Sequence, residues 1–187
     1  MARPGPEGGQ YRPLNDEQIQ RIHDASIQVL EHTGIRVEHQ GALALYRAGG
    51  ARVQDQRVYL PPEMVNAALE TLPGRVVLAG RVPAEDVVLE GRRVYAGTGG
   101  SPTTILDPGS DTTRPATLND LAELVTIVGG LSHCDFVVIP VHPTDVADED
   151  VPVNRFYASL SRSTKHIMGG VGSREGARQV IELAATI

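Results

Sequence analysis

Thr117-Leu-Asn-Asp-Leu-Ala-Glu-Leu-Val-Thr-Ile-Val128, Asp135-Phe-Val-Val-Ile-Pro-Val141 and Lys165-His-Ile-Met-Gly-Gly170 are the segments on which the fold of this chain turns. Leu118, Leu121, Leu124, Val125 and Val128 recur at helical spacing. Thr117 stands before them as an N-cap, with Asp120 in the positive first turn. Residues 135–141 form a short, nearly continuous apolar run, as expected of a strand buried on both faces. Residues 154–160 continue as a second helix and 165–170 as a second strand. Ser173 then caps a third helix, whose Ala177, Val180, Ile181 and Ala184 form an inner stripe. Strands separated by helices of this length imply parallel pairing with right-handed crossovers. The pattern is α/β, seen at its beginning.

Working outward, the chain has 187 residues and a formal net charge of −6, with Lys and Arg scattered, which argues against nucleic acid as a partner. No long apolar run or signal peptide is present, so neither a membrane span nor export is expected. The single cysteine, Cys134, excludes an intrachain disulfide and suits a cytoplasmic protein. Glu182-Leu-Ala-Ala-Thr-Ile187 runs on as an apolar-periodic helix with no Gly, Asn or Pro to close it, so the expectation is an N-terminal fragment of a longer protein.

Three regions are expected: a Gly/Pro-rich disordered tail over 1–13, a helical and β preamble over 14–116, and the α/β units from 117 to 187. Asn15-Asp-Glu-Gln18 is a capping box for a first helix, which Gly34 ends in a left-handed turn. A second helix spans 42–48 and closes at Gly49-Gly50. Residues 52–60 read as a polar-tipped hairpin, and Pro61-Pro62 opens a third helix that Pro73-Gly74 stops. Short strands are then expected at 76–78, 87–89, 93–95 and 103–106, with Gly91-Arg92 as a hairpin turn.

Six segments in this order carry a resemblance. They are Leu14-Asn-Asp-Glu-Gln-Ile19, Leu30-Glu-His-Thr-Gly-Ile-Arg-Val37, Val58-Tyr-Leu-Pro-Pro-Glu63, Tyr95-Ala-Gly-Thr-Gly-Gly100, Arg114-Pro-Ala-Thr-Leu-Asn-Asp-Leu-Ala122 and Thr164-Lys-His-Ile-Met-Gly-Gly170. From about residue 14 onward the chain resembles the front of the trimethylamine methyltransferase family. The resemblance implies the N-terminal part of a (β/α)8 TIM barrel following the preamble. It also implies transfer of a methyl group from a methylated amine to the Co(I) of a corrinoid (cobalamin) carried by a partner protein, and a homo-oligomer for the full-length protein. The family includes pyrrolysine enzymes acting on trimethylamine and relatives without it, some acting on glycine betaine. The pyrrolysine position falls beyond residue 187, so no residue here is carried over as a catalyst. A barrel enzyme of other chemistry and a non-catalytic remnant are the competing readings.

A barrel places its active site at the C-terminal strand ends, and that polarity sorts the candidates. His142 directly follows the first strand and Gly169-Gly170 end the second, where absent side chains would let substrate or corrinoid approach. Their plainer readings are a loop histidine held by Pro143 and a tight turn into the Ser173 helix. Gly99 and Gly100 belong to Tyr95-Ala-Gly-Thr-Gly-Gly-Ser-Pro102, which lacks the third glycine of a dinucleotide fingerprint and the lysine of a P-loop. It is either a turn between strands or a loop folded over the substrate. His133-Cys134-Asp135 reads as structural rather than metal-binding, because neighbours on a strand point to opposite faces. His166 enters its strand at the far end. Four acidic residues between Asp145 and Asp150 read as a solvated loop or a docking face for the corrinoid protein. Arg155 would pair with them or with a substrate carboxylate. A quaternary ammonium needs aromatic faces, and with no Trp, two Phe and five Tyr this stretch supplies few. A fragment of this kind is expected to expose apolar helix faces and self-associate, which size-exclusion chromatography would show as a broad, early peak in place of a sharp monomer.

Overall fold

The computed structural model describes residues 4–186. They divide into two compact units, one of residues 9–74 and one of residues 4–8 with 75–186.

In the first unit, α1 (Asp16–Gln28) starts from a reciprocal cap. Gln18 N donates to Asn15 Oδ1 at 2.9 Å and Asn15 N to Gln18 Oε1 at 3.0 Å. The helix widens to π spacing over Val29–Thr33 and stops at Gly34, where φ is +68° and a Cβ would run into the Val58 carbonyl. There follow β1 (Ile35–Arg36), α2 (Gln40–Ala48), β2 (Arg52–Gln54), β3 (Arg57–Tyr59) and α3 (Pro62–Glu70). The strands form one antiparallel sheet in the order β1-β3-β2. Leu43, Ala51 and Val58 are its buried centre, with Tyr46, Val53 and Met64 packed around them. The apolar positions of one short helix and one hairpin thus cover each other.

The second unit begins with the hairpin of β4 (Arg75–Leu78) and β5 (Val87–Glu90), in which Val77 faces Val88. The sequence pattern suggested that Gly91-Arg92 would turn β5 back onto 93–95. Instead β5 takes β4 as its partner, and Gly91, at φ +55°, leads the chain out of the ladder. Residues 4–8 lie along the stretch that follows: Gly8 N donates to Arg92 O at 2.8 Å and Val94 N to Pro6 O at 3.0 Å. A second hairpin joins β6 (Thr104–Leu106) to β7 (Thr113–Pro115). The polar triplet of β7, ending in proline, carries no strand signal of its own.

Next come α4 (Leu118–Gly130), β8 (Phe136–Val138), α5 (Val151–Arg162), β9 (His166–Met168) and α6 (Arg174–Ala184). β8 and β9 pair in parallel, Phe136 with His166 and Val138 with Met168. Leu121, Val125 and Val128 of α4 and Ala158 of α5 close over Val137, Ile139 and Val141, and these form the main core. On α6 the inner face differs from the expected stripe. Ile181 and Ala184 are exposed, Ala177 and Val180 half-buried, and Gly176 is buried where a Cβ would meet Pro152 of α5 at 3.0 Å.

The expected start of a (β/α)8 barrel is not what forms. Among the described residues the strands fall into four separate sheets of three, two, two and two strands, and none curls toward closure. β8–β9 is the only parallel pair of strands among the described residues. The reason is local. Each hairpin satisfies its own backbone, and the outer edge of β8 is taken by a loop: Asp135 N donates to Ala96 O at 2.6 Å, and Gly97 bridges to Phe136. Among the described residues no helix is long and apolar enough to cross a membrane.

Core and surface can be separated on one helix. Leu121→Ala, at a fully buried position, is expected to cost about 2–5 kcal/mol. Ile127→Ala on the same helix, where the side chain is 60% exposed, is expected to change stability by no more than about 0.5 kcal/mol. Urea unfolding of the two variants beside the parent checks the contrast.

Candidate functional site

The glycine-rich loop after β5 reaches β8 because it has almost no side chains to keep it away. At Gly97 a Cβ would penetrate the Phe136 ring, and at Gly100 it would stand 2.5 Å from the Ile139 carbonyl. Thr98 Oγ1 donates to Val138 O at 2.6 Å, and His142 N donates to Pro102 O at 2.9 Å. The loop therefore runs beside the strand from its first residue to His142. Ser101, between Gly100 and Pro102, holds φ at +121°, a conformation that side chains other than glycine rarely adopt.

Among the residues singled out from sequence, Gly100 and Gly169 both pack on Ile139, and His142 is tied to Pro102 at the end of the same loop. A Cβ on Gly169 would lie 2.7 Å from Ile139 Cδ1 and 3.1 Å from Phe156 Cζ. Gly100 and Gly169 are thus sites of close packing. Gly99 and Gly170 stand apart: no atom lies within 4 Å of where their Cβ would be. The result is a tight seam at the C-terminal ends of β8 and β9 with two open glycines beside it.

Arg155 closes this end from α5. Val151, Arg155, Ala158 and Ser159 are the buried stripe of that helix, at helical spacing, so the guanidinium is carried inward. Arg155 is 8% exposed, and its Nη1 lies 3.3 Å from His142 Nδ1. Arginine has no acceptor, so the imidazole accepts at Nδ1 and carries its proton on Nε2. Burial pushes the Arg155 pKa down, and among the described residues no carboxylate offsets it. The expected surface pairing with the acidic run does not form. Asp145 instead accepts the Leu118 N–H at 2.9 Å, at the start of α4. Helical spacing from Val151 was the signal that marks Arg155 as inward.

The start of α4 holds a second charged group that composition alone does not reveal. Arg114 donates to Asp107 through Nε and Nη2 at 2.8 and 2.9 Å, and to Asp120 through Nη1 and Nη2 at 2.8 and 2.7 Å. Asp120, 9% exposed, also accepts from Thr117 N and Oγ1 at 2.8 and 2.6 Å. The Arg114 hydrogen bonds, aided by Thr117 and opposed by burial, hold the Asp120 carboxyl well below the usual carboxylate range. The same two carboxylates hold Arg114 above its ordinary value.

At the opposite end of the strands lies a cleft of about 350 Å³, lined by Glu85, Asp86, Tyr95, Cys134, Asp135 and Lys165 among others. Its chemistry is already committed. Lys165, 5% exposed, donates to Val128 O and Leu131 O at 2.9 and 2.6 Å and so holds the C-terminus of α4. Asp135 Oδ2 accepts from Ala96 N at 2.9 Å. His166 Nδ1 lies 2.9 Å from Ala79 O. Among the described residues no three His, Cys, Asp or Glu side chains gather as a metal site would require.

Comparison with known proteins agrees with the order of motifs. The family model described as trimethylamine methyltransferase (MTTB) matches residues 4–187. The chain is 32% identical over 183 residues to trimethylamine methyltransferase MttB of Desulfitobacterium hafniense (strain DSM 10664 / DCB-2), covering 97% of this chain and 37% of that protein. It is 30% identical over 179 residues to the glycine betaine methyltransferase of Desulfitobacterium hafniense (strain Y51), covering 95% and 37%. A further match is 30% identical over 94 residues to the L-carnitine:corrinoid methyltransferase of Eubacterium limosum, covering 50% and 19%. The chain thus spans little more than a third of the length of the first two relatives, 37% of each.

Two outcomes are expected from this geometry. Gly100→Ala and Gly169→Ala should each cost about 1–3 kcal/mol by overpacking, while Gly99→Ala and Gly170→Ala should stay within about 0.5 kcal/mol; denaturant unfolding reads both pairs. The folded state lowers the Asp120 pKa below its unfolded value, so its contribution is complete above the ordinary carboxylate range and is lost as pH falls through the lower folded value. Asp120→Asn should therefore lower Tm at pH 7, and the gap to the parent should close on acidification below about pH 4; melts from pH 7 to pH 2 test this.

Proposed function

The chain belongs to the trimethylamine methyltransferase family, and from that premise we propose that it is part of an enzyme moving a methyl group from a methylated amine to a corrinoid held by a partner protein. The observation that carries the reading is the family match, which runs the length of the described chain. The names of the similar proteins give the substrate range to test, trimethylamine and glycine betaine among them.

A bound corrinoid would supply the methyl acceptor, a strongly nucleophilic Co(I). The surface offered to it fits such a group in one respect: Gly99 and Gly170 leave open backbone beside the seam, where a large flat molecule can come close. A quaternary ammonium such as that of glycine betaine has no proton to remove and a poor leaving group, so its methyl transfer depends on alignment more than on acid–base help. In this reading His142, Gly99, Gly100, Gly169 and Gly170 form one wall of the substrate site. Gly100 and Gly169 fix the wall by packing on Ile139, and His142 presents its Nε2–H from the strand end. The acidic residues at 145–150 offer a face for the corrinoid protein.

The test is anaerobic methyl transfer by the protein that carries this chain. It is mixed with cob(I)alamin, and trimethylamine and glycine betaine are supplied separately. The expected result is loss of the Co(I) absorbance with one donor, matched by one equivalent of demethylated amine. Absence of transfer from a panel of methylated amines, with the native corrinoid protein present, would overturn the proposal.

A further inference from the structure

Lys165, Arg114 and Arg155 are cations of the second unit drawn into or against the protein, and the first two have partners that offset their burial. Lys165 is met by two carbonyl oxygens and Arg114 by two carboxylates. Arg155 is met by neither. Its Nε is buried without a hydrogen-bond partner, and its one polar contact among the described residues is the imidazole of His142. One turn further along the same stripe, Ser159 Oγ is fully buried and also unpartnered. A buried guanidinium without a counter-charge is costly, and the cost falls sharply when a carboxylate docks on it.

The surrounding groups restrict what can dock. Arg155 and the Nε2–H of His142 offer donors and no acceptor, which suits an anion and rejects a second cation. A planar guanidinium matches a carboxylate fork in particular. The pair also stands at the strand end where Gly99, Gly100, Gly169 and Gly170 lie, not in the cleft at the other end. We infer that Arg155, seated by His142, anchors a carboxylate of the methylated amine, so that this chain takes a carboxylated quaternary amine in preference to trimethylamine. This assignment rests on the methyl-transfer reading above. Arg155 is then a specificity-determining residue: a donor without a carboxylate leaves the guanidinium unpaired, and discrimination follows from that penalty.

The experiment compares glycine betaine, trimethylamine and choline, the last resembling betaine but lacking the carboxylate. In methyl transfer by the unaltered protein, acetate should compete with glycine betaine and leave any trimethylamine reaction untouched. Arg155→Met should lower kcat/KM for glycine betaine relative to trimethylamine by roughly 30-fold or more, mainly through KM. Arg155→Lys, which keeps the charge and loses the fork, should fall between. A ratio unchanged in Arg155→Met would overturn the inference. If Arg155→Met fails to fold, Arg155→Lys and acetate competition still decide. Should no donor be demethylated, titration calorimetry separates the two claims. Glycine betaine and acetate binding where choline does not would sustain the anchor while the methyl-transfer reading fails. Choline binding as tightly as glycine betaine, or acetate not competing, would overturn the anchor.

Discussion

Strand β8 is hydrogen-bonded on both edges by unlike partners, and much of the second unit depends on that. On one edge lies β9, parallel and in register from Phe136 to Val138. On the other lies the glycine-rich loop, joined through Ala96, Gly97 and Thr98. A strand has two rows of backbone donors and acceptors, and both are used here. The consequence is a two-stranded parallel pair flanked by a loop, where the family resemblance had implied the opening of a barrel. The same constraint assembles the candidate site, since the loop that seals β8 brings Gly100 and Pro102 to its C-terminal end beside His142.

The helix covering this pair is fixed at both termini by charge. Arg114 and Thr117 hold Asp120 over the positive start of α4, and Lys165 closes its negative end from the strand side. Between those points Leu121, Val125 and Val128 reach the apolar face of β8. The helix therefore has one position relative to the strand, and the strand end has one position relative to α5. The placement of Arg155 against His142 follows from that stack, which gives a buried cation its neighbour without giving it a counter-charge.

How much of the candidate site was legible in the sequence differs from residue to residue. His142 and Gly169 could be placed at one end of the strands, because βα order assigns a polarity to each strand. Gly100 was legible only as part of a glycine-rich turn; its contact with the Ile139 carbonyl is a long-range approach that spacing does not encode. Arg155 was legible as a cation near an acidic run, and that was the misleading feature. The four acidic residues at 145–150 are close in sequence, yet the helical phase set by Val151 turns Arg155 away from them. The Arg114 knot carried a partial signal, Asp120 three residues after the Thr117 cap, while the part of Asp107 comes from the β6–β7 hairpin.

The local elements follow from short-range interactions written in the chain. Asn15 with Gln18, and Thr117 with Asp120, satisfy backbone groups three residues away, so their helices start where the letters say. Gly34 stops a helix because its backbone needs a positive φ, and residues 52–60 pair because two short strands meet across a two-residue turn. Such interactions close within a few residues and need no knowledge of the rest. The tertiary structure decided which edges meet: β4 rather than 93–95 against β5, the loop rather than another strand against β8, and the interior rather than solvent around Arg155. Period and capping fix what an element is. Its partner is chosen by competition among all exposed edges and faces at once, and only the folded chain resolves that.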